Sequence, residues 1–495
     1  MYIIDPDQAH AKNRFDVVAQ PFLQQPGLPF SQVLAPEVIN QAFVRHDALF
    51  AQDDVFSTQI VLWAFLAQVL RDGKCAACTS AVLDIATYLA QTGHREPVPD
   101  TGAYCRARAK LNVAALQDLT VGAAQQLEEA ADSSWLWHGR HAKLIDGLTF
   151  TLPDTPENRK EFPPPNNKKK NKKNRHKKNK KASEGLPIAR ACAIVSLATA
   201  ALCALNFGPY QGKETGESAL LRRIIEYLLR GDIAVFDRCL CSFMTLAALT
   251  LRGVDFCARL HSRRSVDFRR GKRLGEDDHL VTWTKPRQRP AWMPEALYDL
   301  MPETMTVREV RFHLTDPNLR TRTITVVTSL TDPVAYPKEA IAQLFGFRWN
   351  VELDIRHIKK TLRLDYVRCK TPAMIRREVW VTLLSYNLIR KLIATAAVVH
   401  GKQPRHLGFT MACQAVLSTW MEMATGTCRD AAAMWRDFLK AIASNEVANR
   451  PGRVEPRAVK RPPLPYPRLH GPREKAREKL RRKPRRRVRA NGARG

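Results

Sequence analysis

Three acidic residues far apart in the chain are placed where carboxylate chemistry could be done. Asp146 lies inside the apolar segment AKLIDGLTFTLPD, Asp237 ends the short run DIAVFD, and Glu352 sits within FGFRWNVELDIRHIKKTL. An acid in the middle of an apolar strand pattern is an oddity, since most strand acids point to solvent. One carboxylate alone holds a hard divalent ion poorly, because such ions take several oxygen ligands, so the three acids are informative as a set. Two divalent ions roughly 4 Å apart serve phosphoryl transfer, one activating the attacking hydroxyl and the other stabilising the leaving oxygen. In the third segment, helical periodicity brings Phe345, Arg348, Glu352 and Lys359 onto one face. The Arg fork and the Lys point charge suit phosphate groups beside a carboxylate that must stay ionised. The alternative for Arg348 and Glu352 is a plain i,i+4 surface pair worth roughly 0.2–0.5 kcal/mol.

The elements that must position these residues are read from periodicity and punctuation. Asp146 falls in a strand that ends at Pro153, and PDTPEN adds Asp154 and Glu157 on a turn. The apolar run Ala191 to Leu205 is too short for a membrane span and reads as two buried strands turning near Ala198 to Ala200. TGESALLRRIIEYLLRG predicts a helix capped by Thr215, with an apolar face of Leu220, Leu221, Ile224, Ile225, Leu228 and Leu229, stopped by Gly231. Asp237 then ends a strand, and ligand sites of open α/β sheets lie at the carboxyl ends of strands. A helix from Ser242 to Leu251 and a strand from Val254 to Leu260 follow.

The distance from Asp237 to Glu352 is far more than one strand and one helix use, so a β-rich insertion over 262–332 is expected. Its Trp283 and Trp292 suit either stacking on an unpaired DNA base or core packing. A long helical segment after Pro337 is expected to run through Glu352, and another helix from Met374 to Val398. Residues 1–135 read as helices, either a DNA-binding domain or a scaffold bundle; in one of them Val61, Leu62, Phe65, Leu66, Val69 and Leu70 recur at helical spacing.

Charge points to the partner. The formal net charge is +31, and most of it is concentrated: ten cations and no acid in 166–181, and seventeen cations against three acids in 451–495. Both segments, one Lys/Asn-rich and the other Pro/Arg-rich, have too little to bury and read as disordered. A polyanion is their natural partner, nucleic acid before an anionic membrane. Eleven cysteines with no secretory signal at MYIIDPDQAHAKNRF read as reduced core residues. Cys75 and Cys78 form a CxxC without a second pair at zinc-finger spacing, so packing is expected of them.

The spacing Phe345-x2-Arg348-x3-Glu352-x6-Lys359 resembles the Tyr-x2-Arg-x3-Glu-x6-Lys signature of the insertion-sequence-four family of bacterial DDE transposases, with Phe345 in place of the tyrosine. KLIDGLTFTLPDTPEN, PIARACAIVSLATAAL, FGPYQGKETGESALLRR, GDIAVFDRCLCSF and RCKTPAMIRREVWVTLLSYNLIRKL also look like that family, over a span from about Phe43 to Tyr466. The resemblance implies an α/β fold with a ribonuclease-H-like catalytic core, here 136–261 and 333–400, interrupted by the β-rich insertion and preceded by the helical domain. Helices over 401–450 and the basic tail 451–495 would follow. It implies Asp146, Asp237 and Glu352 as the catalytic, metal-binding triad, with Phe345, Arg348 and Lys359 at the DNA. It further implies Mg²⁺, with Mn²⁺ able to substitute and two ions expected, and terminal inverted repeats and target DNA as substrates. A homodimer in the synaptic complex, no membrane partner and a cytoplasmic, nucleoid-associated location complete the expectation. The rival readings are a catalytically impaired DNA-binding relic and a ribonuclease-H-like nuclease that cuts without strand transfer.

Overall fold

The structure is a computed structural model that describes residues 34–51, 55–93, 100–165, 185–313, 323–425 and 430–447, with 475, 477, 478 and 481. The Lys/Asn-rich run and nearly all of the basic tail lie outside the described residues.

The chain folds as a mixed α/β structure built on one large sheet. Among the described residues the sheet has nine strands in the order β3-β2-β1-β4-β5-β9-β8-β7-β6. They are β1 (Ala142–Thr151), β2 (Ile188–Ser196), β3 (Leu202–Pro209), β4 (Ile233–Phe236), β5 (Asp255–Arg259), β6 (Lys272–Gly275), β7 (Asp278–Thr284), β8 (Thr304–His313) and β9 (Thr323–Thr328). β1, β4 and β5 run parallel, and every other pairing is antiparallel. All four residues of β4 are buried, as a central strand covered on both faces must be. The apolar run 191–205 forms β2 and β3, with Ala200 at φ 58° in the turn between them. The strands at 272–328 continue the same sheet, because β9 pairs with β5.

Side-chain alternation splits the core in two. Leu144, Leu148, Val195 and Val235 face the larger cluster, which includes the helices Thr58–Leu70, Cys78–Gln91 and Val113–Glu129 and the helix Pro372–Val399. Ile145, Ile194, Phe236 and Phe256 face the smaller cluster, beneath the helices Glu217–Arg222 and Phe243–Leu251. The N-terminal helices thus share one apolar core with the sheet.

Helix Pro372–Val399 begins with Pro372 at its first turn and a Thr371 hydroxyl accepting from the Met374 N–H. Of the helices described, it is the one long and apolar enough to cross a membrane; 83% of its most apolar window is buried in the fold, as in a central core helix.

Several expectations are corrected. The helix after Thr215 spans only Glu217–Arg222, with Gly216 as its cap, and gives way to a short 3-10 turn at Ile225–Tyr227. Leu229, placed on its buried face by periodicity, is 61% exposed. The segment after Pro337 is two helices, Lys338–Gly346 and Trp349–Arg356, followed by a π-helical turn at His357–Thr361. Trp283 is buried, and its indole N–H donates to Glu309 Oε1 at 2.9 Å, which removes it from any stacking on DNA. Trp292 is half-buried, with the Arg222 guanidinium 3.7 Å over its ring.

Candidate active site

Asp146 and Asp237 are brought together by strand register. β1 and β4 are parallel, and their last pair is Ile145 with Phe236. The next residue in each segment is the aspartate, so Asp146, still within β1 opposite Ala193, and Asp237, just past the end of β4, follow neighbouring backbone positions on strands about 4.8 Å apart. β4 stops there while β1 continues, which opens that flank of β1 beside Asp146. The Asp146 Oδ1 accepts from the Gly147 N–H at 2.8 Å.

Glu352 comes to this edge on helix Trp349–Arg356, and Arg348 ties it to β1. One guanidinium nitrogen of Arg348 lies 3.7 Å from Asp146 Oδ2 and the other 3.5 Å from Glu352 Oε1. The Arg348 side chain is only 11% exposed, whereas that of Glu352 is 43% exposed. Phe345 is buried against the core, with the Arg348 guanidinium 6.0 Å from its ring centre. A ring in that position seats Arg348 and does not reach the surface. The π-helical turn carries Lys359 back to the sheet, where its ammonium donates to Thr149 O on β1 at 2.6 Å and lies 3.4 Å from Asp365. The four signature residues therefore do not share one exposed face: two point outward to the acid edge and the others inward or along β1.

The Glu352 helix is anchored by the residue two positions on. Asp354 is buried and accepts from Arg390 Nη2 and Arg405 Nη2, each at 3.0 Å. Arg390 belongs to helix Pro372–Val399 and also donates to Tyr386 Oη at 3.1 Å, while Arg405 donates to the carbonyls of Ser196 and Leu197 at the β2–β3 turn. Glu352 is thereby held relative to both the central helix and the sheet.

A fourth acid, passed over by sequence reasoning, packs on β1 beside Asp146 from the opposite face of the sheet. Glu217 opens the short helix after β3, and a Cβ built on Gly147 would come within 2.3 Å of its Cδ, so its carboxylate packs where β1 has no side chain. The usable signal is the pair of an acid at a helix start and a glycine next to Asp146, but sequence alone does not pair them.

The electrostatics are those of crowded acids with one cation. Burial pushes the Asp146 carboxyl up to about 6; the Gly147 N–H and Arg348 oppose the rise, and the charges of Glu217 and Glu352 add to it. Burial also raises the Cys239 thiol, helped by the charges of Asp237, Glu217 and Asp146. Among the described residues no three His, Cys, Asp or Glu side chains converge tightly enough to form a ready metal cage. The donor set nevertheless fits a hard divalent ion, since the groups at this edge are carboxylate oxygens in excess of their counter-charge.

Known proteins identify the family. The family profile described as Transposase DDE domain matches residues 137–388, which contain β1, β4 and the Glu352 helix. The chain is 25% identical over 468 residues to "Transposase InsG for insertion sequence element IS4" of Escherichia coli (strain K12), covering 92% of this chain and 98% of that protein. Among solved structures, a piggyBac transposase synaptic complex with hairpin DNA matches at 7% identity and a TM-score of 0.42, over 87% of this chain and 88% of that one, too slight a likeness to bear on the fold. The chain belongs to the DDE transposases of the insertion-sequence-four type, enzymes of DNA transposition.

Proposed function

We propose that this transposase works by cut and paste, with Asp146, Asp237 and Glu352 holding two Mg²⁺ ions, or Mn²⁺ in their place, in a ribonuclease-H-like core formed by residues 136–261 and 333–400. The observation that carries the reading is the register of β1 and β4, whose last pair is Ile145 with Phe236, followed by Asp146 within β1 and Asp237 just past β4, with Glu352 linked to Asp146 through Arg348. The core assignment is supported by the strand order β3-β2-β1-β4-β5, with β2 antiparallel to both neighbours and β1, β4 and β5 parallel.

When bound, divalent ions at such a site supply Lewis acidity and an activated attacking oxygen. The carboxylates of Asp146, Asp237 and Glu352 hold that charge, and the Asp354 clamp keeps Glu352 in register with the sheet. Arg348 bridges Asp146 and Glu352, and its planar fork would suit a phosphate of the transposon end beside them. Lys359 adds a point charge along β1, and Phe345 seats Arg348 from below. Water cleaves the strand at the element's end first, and the freed 3′ hydroxyl then attacks target DNA.

The same proposal assigns residues 1–135 and the insertion 262–332 to DNA contact, the basic segments 166–181 and 451–495 to phosphate attraction, and synapsis of two ends to a homodimer. The test is incubation of the protein with DNA carrying the element's own ends, a target plasmid and Mg²⁺. Strand-specific nicks at the ends together with joined products are expected. Nicks without joined products would instead identify a nuclease, and end binding without Mg²⁺-dependent nicking a catalytically impaired relic.

A further inference from the structure

Cys78, the second cysteine of the CxxC pattern, meets a thiol from another helix. The Cys105 thiol donates to Cys78 Sγ at 3.7 Å, across 27 residues of chain. Cys78 is the first residue of helix Cys78–Gln91, and Cys105 lies midway along helix Thr101–Lys110. Both are half-buried, whereas Cys192, Cys203, Cys241, Cys257, Cys369 and Cys413 are buried. The pair is therefore reachable from solvent in a way the core thiols are not.

A fixed polar network holds the contact. The Gln68 amide donates from Nε2 to Ala76 O at 3.0 Å and to Cys78 Sγ at 3.5 Å. Its Oε1 accepts from Tyr104 Oη at 2.9 Å and from Arg108 Nη1 at 2.8 Å, two residues that flank Cys105 along its helix. One side chain thus ties the surroundings of both sulfurs together. Arg108 also brings a cation: its guanidinium interacts electrostatically with both thiols, and its buried Nε–H has no hydrogen-bond acceptor among the described residues. A cation beside a thiol favours the thiolate that disulfide exchange requires. Burial, and next the charge of Cys78, raise the Cys105 thiol against the pull of Arg108. That leaves Cys78 as the attacking sulfur and Cys105 as the resolving one.

We propose that Cys78 and Cys105 are a reversible oxidation site, closing to a disulfide that joins the two helices. The oxidant is a low-molecular-weight disulfide, glutathione disulfide or its like. The Cys78 thiolate attacks one of its sulfurs, a bond to Cys78 forms, and one glutathione leaves as its thiolate. Cys105 then gives up its proton and its sulfur attacks Cys78 Sγ, so that the mixed disulfide breaks and the second glutathione leaves. Two protein thiols lose two hydrogens, and one glutathione disulfide becomes two glutathiones. The sulfurs must close from 3.7 Å to about 2.05 Å, a shift that side-chain rotation can supply.

The test is peptide mapping by mass spectrometry, without reductant, of the full-length protein incubated with excess glutathione disulfide and then blocked with an alkylating reagent. Wild type is expected to yield a Cys78 peptide cross-linked to a Cys105 peptide, two hydrogens lighter than the reduced pair, and to lose it on treatment with dithiothreitol. Cys105→Ser should stop at the mixed disulfide, with one glutathione carried on Cys78. The oxidised wild type is also expected to melt at a higher temperature than the reduced form, a rise absent in Cys105→Ser, because the bond closes a loop in the unfolded chain. Alkylation of both Cys78 and Cys105 in wild type under excess oxidant overturns the proposal, and so does a cross-link of Cys78 to Cys75. Those two outcomes are read on wild type alone, so they stand whether or not a variant folds.

Discussion

Glu352 and Asp354 are two residues apart on one helix and meet opposite fates. Asp354 is buried and held by two arginines from distant parts of the chain, Arg390 and Arg405. Glu352 is solvent-facing and shares its single arginine with Asp146, on which the negative charge of Glu217 also acts. The first arrangement has more cation than anion and nothing left to bind. The second has more anion than cation and is open to solvent. Residue types are the same in both, so what separates a structural ion pair from a working site is charge balance and access.

The largest expected effect breaks the open side. Asp237→Asn should lower end cleavage by roughly 10²- to 10³-fold or more, with the urea midpoint unchanged or raised because a crowded negative charge has gone. Next comes the closed side. Asp354→Ala leaves two buried guanidinium groups unpaired and should cost about 3–5 kcal/mol of stability, read as a fall in the urea midpoint.

Glu128 sharpens the comparison as a second satisfied acid. Burial disfavours its charge, but hydrogen bonds from His141 and Lys143 outweigh burial and hold it at about 2, below the ordinary 4.5. A carboxyl lowered on folding stabilises the protein above its unfolded value, and that contribution is lost as pH falls from about 4.5 toward about 2. The expected loss is on the order of 3 kcal/mol, measurable by urea unfolding across that window, and Glu128→Gln should flatten the pH dependence there. The smallest effect is at the exposed pair of Asp72 with Arg363, where the Asp72 side chain is 70% exposed. Asp72→Ala should change stability by no more than about 1 kcal/mol.

What was legible in the chain followed from local pattern. The strand holding Asp146 and the strand ending at Asp237 are written in alternating or fully apolar runs bounded by turn residues, and both form as expected. The Glu352 helix was legible too, but its interruption after Gly346 and the π-helical turn were not, because the pull of Lys359 toward Thr149 O is a tertiary contact. The helix at Glu217 ended early for a related reason: periodicity continued through Leu229, while packing required a 3-10 turn. For Trp283 the sequence left stacking on DNA and core packing both open, and its N–H bond to the buried Glu309 decides for packing. Glu217 itself was invisible, since its relation to Gly147 spans seventy residues and depends on the absence of a side chain.

The central claim is that Asp146 within β1 and Asp237 just past β4, joined by Glu352, do the chemistry. It is tested most directly by nicking of end DNA with Mg²⁺ by Asp146→Asn, Asp237→Asn and Glu352→Gln, each compared with wild type at equal folded fraction. All three are expected to bind the ends and leave them uncut. Cleavage at the wild-type rate by any one of them would contradict the account.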